Sequence, residues 1–121
     1  MANYGQIIHI PGLVAGADLS AAQYKAVKFA STAGEVIAST AAADASIGIL
    51  QNDPTDGQAA SIGGAGSISL ALAATSTIAA GNFVAPNSTG LVNTSVQKFG
   101  RALQAAGASG DLIQVQVLGV Q

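Results

Sequence analysis

From Gly57 to Gln97, forty-one consecutive residues carry no Asp, Glu, Lys or Arg. A span that long must cross a membrane, fold with uncharged polar side chains toward water, or be covered by other chains. Ser, Thr, Gly and Asn interrupt it throughout, and no window of about 20 residues is continuously apolar, as a spanning helix requires. The span therefore reads as part of a non-membrane β structure. Half of all residues are apolar, but twenty-six are alanine, and burying one methyl contributes far less than burying a Leu or Phe. The core is thin for 121 residues, and a surface so short of charge implies that neighbouring chains cover part of it.

The strand signals are period-two alternations. "SISLALA" sets Ile68, Leu70 and Leu72 on one face and Ser67, Ser69 and Ala71 on the other. "LIQVQVL" alternates Ile113, Val115 and Val117 with Gln114 and Gln116, and Ile47-Gly48-Ile49-Leu50 is a short apolar strand. Gly, Pro, Asn and Asp punctuate these at the spacing of an all-β barrel or sandwich, and a brief helical turn in the alanine run 41 to 45 would not alter that class. Residues 17 to 39 admit a helix capped by Asp18 and stopped by Gly34. The clustering of β-branched and aromatic residues on both sides of Gly34 favours a hairpin instead, with Val27 and Phe29 pointing the same way. The expected fold is mainly β with little helix: a small single domain, residues 17–121, preceded by an extended arm, residues 1–16.

That arm holds Tyr4, Ile7, Ile8, Ile10 and Leu13, which would be costly to leave in water. It is expected to dock on a partner, with Asn3, Tyr4, Ile7, Ile8, His9, Ile10, Leu13 and Val14 as candidate contacts, and its removal from 2 to 14 is expected to leave the domain folded. A faint duplication is also visible. "AGEVIA" at 33 resembles "AGNFVA" at 80, "IGILQ" at 47 resembles "FGRALQ" at 99, and Gly57 and Gly110 each open a following strand. In a chain this rich in Ala and Gly, chance similarity is the rival reading.

No chemistry-bearing pattern stands out. Asp53-Pro54-Thr55-Asp56-Gly57 fails as a calcium loop, because from Asn52 the third position is Pro54 and the twelfth is Gly63. It reads as a turn, with Asp53 accepting a local bond and Gly57 at positive φ. His9 is the only histidine, so no second imidazole completes a metal site, and the chain lacks a G-x-S-x-G elbow. "GGAG" at 63 to 66 has no nearby Lys and reads as a bend. Glu35 and the aspartates offer no selected pair for glycoside hydrolysis. Lys25, Lys28, Lys98 and Arg101 are too few for a nucleic-acid footprint. The absence of cysteine fits synthesis in a reducing cytoplasm, and the N-terminus lacks the basic start of a signal peptide. The expectation is no enzyme, no cofactor, no metal, and no nucleic-acid, membrane or small-molecule partner.

The order of "ADLSAAQYKAVKF", "GEVIAS", "GILQNDPTDGQAA", "AAGNFV" and "FGRALQAAGASGDLIQVQV" resembles the small capsid cement, or head decoration, proteins of tailed bacteriophages, over roughly residues 17 to 119. The resemblance implies a β-barrel or β-tulip-like virion protein, assembling as trimers on the outer capsid surface. It further implies the major capsid protein as partner and synthesis in a bacterial host. Another assembly role, as a tail, fibre or surface-layer subunit, is the alternative that composition equally allows.

Overall fold

The computed structural model describes residues 9–94 and 97–118. Those residues contain ten strands and no helix: β1 (Val14–Ala15), β2 (Ala26–Phe29), β3 (Glu35–Ala38), β4 (Ser46–Leu50), β5 (Ile62–Gly63), β6 (Ile68–Leu72), β7 (Phe83–Pro86), β8 (Leu91–Asn93), β9 (Gly100–Ala102) and β10 (Leu112–Val117). The fold is mainly β, and the hairpin reading of residues 17–39 holds: β2 and β3 pair antiparallel around Gly34 at φ 82°. The alanine run at 41 is a turn rather than helix, its Thr40 and Ala41 amides bonded to the Asp44 carboxylate.

The strands form two sheets, ordered β1-β3-β2-β4-β5 and β6-β10-β9-β7-β8. The first returns on itself. β1 runs parallel to β3 on one side, while on the other Val14 bridges Ala59 and His9 bridges Gly63, next to β5. The second does likewise less completely: β6 pairs along its length with β10 and touches β8 at a single parallel bridge, Ala73 to Leu91.

The two sheets are copies of one plan. Reading β1–β5 against β6–β10 gives the same strand directions and the same linking bonds. The Ala15 amide donates to Gln58 O at 2.8 Å and the Gly57 amide to Ala15 O at 2.9 Å; the Ala73 amide donates to Asp111 O and the Gly110 amide to Ala73 O, both at 2.8 Å. The Tyr24 amide donates to Leu50 O and the Gly81 amide to Ala102 O, both at 2.7 Å. Both residues sit at positive φ, 69° for Tyr24 and 92° for Gly81. Of the sequence similarities, "IGILQ" with "FGRALQ" and Gly57 with Gly110 coincide with this equivalence. "AGEVIA" with "AGNFVA" does not, since the structural counterpart of β7 is β2.

Each repeat has its own core. Leu19, Val27, Val36, Leu50 and Ile62 lead the first, with Ile10 and Leu13 packed against it; Val84, Leu91, Phe99, Ile113 and Val115 lead the second. Ala26 and Ile49, from the opposite face of β2 and β4, enter the second core and weld the repeats together. Burial on both faces explains why β4 reads as an unbroken apolar run rather than an alternation. The weld is completed by the Leu72 amide on Tyr24 O at 2.9 Å and the Gln51 side chain on Leu70 O at 3.2 Å.

Alternation located faces but not their environments. Val27 is fully buried whereas Phe29 is 57% exposed, because β4 begins opposite Lys28 and leaves Phe29 flanked by β3 alone. In β6 the small residues point inward: Ser69 and Ala71 are buried and Leu70 is 39% exposed.

Candidate functional site

The described part of the arm is spent inside its own chain. The Ile10 amide donates to Ile62 O at 3.1 Å and Leu13 O accepts from the Ala60 amide at 3.0 Å. Both side chains pack on the first core, and Val14 belongs to β1. Residues 9–15 thus close the first sheet, through the bridge at His9, a turn at Pro11-Gly12 and the short strand β1, where the sequence reading expected an arm preceding the domain. The reason is topological: their partner, residues 58–63, lies some fifty residues away, beyond what local pattern reports. His9 is exposed, its Nδ1 3.4 Å from Ser61 Oγ. Asn3, Tyr4, Ile7 and Ile8 lie outside the described residues.

The other candidates are structural in their contacts. Gly57 takes φ 83° and ends the turn, after which Gln58 O accepts from the Ala15 amide. The side chains that brace this turn are Gln58, accepting from the Thr55 amide at 2.8 Å, and Asn52, accepting from the Ser61 amide at 2.9 Å. "GGAG" is the link between repeats, with Gly66 at φ 89° donating to Val117 O. Lys28 pairs with Asp44 at 3.2 Å; the Thr40 amide first, then Lys28, holds the Asp44 carboxyl below its ordinary range. The Ser20 bonds do the same for Asp18. Among the described residues, no three His, Cys, Asp or Glu gather where they could hold a metal ion. No helix there is long and apolar enough to cross a membrane.

What the sequence reading missed is the outer face of β6, β10 and β9. Cross-strand partners share a face, so Leu72 lies beside Leu112, Leu70 beside Gln114, and Ile68 beside Gln116 and Arg101. Leu103, whose amide bonds Gln114 O at 2.9 Å, extends the Leu70 row. Leu118 follows β10. Exposure is 39% at Leu70, 40% at Leu103, 45% at Leu112 and 43% at Leu118. Arg101 and Lys98 border this face, both stacked on the Phe83 ring, 5.3 and 4.9 Å from its centroid. The signal was present in "SISLALA", where leucines alternate with Ser and Ala small enough to fill a tight interior.

No protein-family model matches the chain, and no curated protein matches it.

Proposed function

We propose that the chain is a structural virion protein that binds the outer surface of a tailed-phage capsid and stabilises the mature head as cement. The reading rests on the resemblance of its motif order to that of head decoration proteins, and the observation that carries it is the leucine face. A chain with ten charged residues that turns Leu70, Leu103, Leu112 and Leu118 outward is suited to burial among neighbours. The partners are the major capsid protein and further copies of the chain, in a homotrimer. Many modest contacts repeated by symmetry supply avidity without a single strong site.

Because residues 9–15 are committed to the fold, shell contact falls to Asn3, Tyr4, Ile7 and Ile8, with exposed His9 at the boundary. The experiment is co-sedimentation of the purified protein with undecorated expanded capsids. Retention that saturates at a fixed ratio to the major capsid protein, and that weakens when residues 2–8 are deleted, is the expected result. A folded protein that never co-sediments would remove the shell reading.

A further inference from the structure

The two repeats adopt one fold, so any side chain that one repeat needs and the other lacks serves something besides the fold. On the outer face the difference is sharp. Bond for bond, Leu72 corresponds to Val14, Leu103 to Gln51, Leu112 to Ala59 and Leu118 to Ala65, while Leu70 takes the place of the Pro11-Gly12 turn. Apart from Val14, the first repeat has small or polar residues at these positions. The second repeat's leucines are surplus to the architecture.

The first repeat has its own exposed excess. Phe29, at the end of β2, is the most exposed large hydrophobic side chain of the described residues, at 57%; its counterpart in β7 is Pro86, paired with Leu91 as Phe29 is with Val36. Phe29 shares its face with Val36, while Glu35 at the start of β3 turns to the other face, against Gly16.

Charge is divided in the same way. Residues 9–63 carry Asp18, Glu35, Asp44, Asp53 and Asp56 against Lys25 and Lys28, a net of −3; residues 68–117 carry Asp111 against Lys98 and Arg101, a net of +1. Like repeats repel and unlike repeats attract, with Arg101 at the rim of the leucine face.

We propose that copies of this chain associate head to tail, the Phe29 end of the acidic first repeat of one copy seating on the leucine face of the second repeat of the next. A contact between two different surfaces leaves one of each free at the ends and closes into a ring where the rotation allows. The capsid reading gives this contact its setting, but the contact itself is a property of the free protein and is tested without shells.

The experiment is light scattering on the full chain and on Leu112→Asp and Phe29→Asp, with circular dichroism to confirm the native β signal in each. Wild type is expected at a multiple of 11.7 kDa, and each variant alone as a monomer. Leu112→Asp keeps its Phe29 end and Phe29→Asp keeps its leucine face, so an equimolar mixture forms a two-chain species. If either aspartate variant loses its β signal, Leu112→Ser and Phe29→Ser replace the pair with the same expectation. A monomeric wild type, a Phe29 variant that assembles normally through leucine face against leucine face, or a mixture that stays monomeric would each overturn the proposal.

Discussion

Gly48 and Gly100 occupy the same place in the two repeats, each where a neighbouring strand leaves no room for a Cβ. One added at Gly48 would clash with the Gly63 carbonyl oxygen and come within 2.6 Å of Ile62 Cγ2; at Gly100 it would lie 2.8 Å from Val115 Cγ1 and 3.1 Å from Gln116 O. Ile62 and Val115 are themselves equivalent, each fully buried. Gly48→Ala and Gly100→Ala should each destabilise by about 1–3 kcal/mol as overpacking does. Gly48 should be the worse, because backbone gives way less readily than a side chain. Urea denaturation midpoints compare them.

Ser69 is buried in the second core and its hydroxyl has no hydrogen-bond partner among the described residues. Its equivalent in the first repeat is the apolar Ile10. Ser69→Ala should therefore leave stability unchanged or raise it by about 1 kcal/mol, the desolvation cost of an unpaired hydroxyl being removed. A clear loss in the midpoint would show that the hydroxyl is satisfied.

Ile49 is the first repeat's largest contribution to the second core. Ile49→Ala should cost about 2–5 kcal/mol and weaken coupling between the repeats, so that fluorescence-independent probes such as amide exchange report the two unfolding separately. A single cooperative transition at an unchanged midpoint would contradict the weld.

Deletion separates the two roles of the N-terminal segment. Removing residues 2–8 should leave the native circular dichroism intact, whereas removing 2–14 takes away the bridges at His9 and Val14 and the Ile10 and Leu13 side chains packed on the core of Leu50 and Ile62. The longer deletion should unfold or aggregate. Equal spectra for both would mean that residues 9–14 are dispensable for the fold.

Asp44 binds protons less readily folded than unfolded, because its carboxylate accepts from the Thr40 and Ala41 amides and pairs with Lys28. The unfolded state then takes up more protons as the pH falls. The contribution is present above the ordinary aspartate value of about 3.9 and lost as pH drops through the lower folded value. Asp44→Asn should flatten the acid limb of the stability–pH curve below about pH 4. An unchanged limb would place the acid sensitivity elsewhere.

The legible part of this chain was its periodicity. Ile68–Leu72 and Leu112–Val117 are strands where alternation places them, and the hairpin at Gly34 follows from β-branched residues on both sides. Alternation says which residues share a face but not which face is wet. Leu70 pointed outward over Ser69 is the case in which the apolar residue is not the buried one. In the described part of the arm, Leu13 and Ile10 find backbone partners at Ala60 and Ile62, a pairing that only tertiary structure reveals. The duplication was half seen: two glycine positions marked it correctly, while the resemblance of "AGEVIA" to "AGNFVA" matched a strand to its neighbour's counterpart. The leucine face was written in "SISLALA", but which of its two faces is wet depends on the strands packed behind Ser69 and Ala71.

The most direct measurement is the temperature at which undecorated expanded capsids disrupt, followed by calorimetry as the purified protein is added. Cement predicts a rise that saturates at a fixed ratio of this chain to the major capsid protein and is lost with the 2–8 deletion. Capsids that disrupt at the same temperature in the presence of saturating folded protein would contradict it.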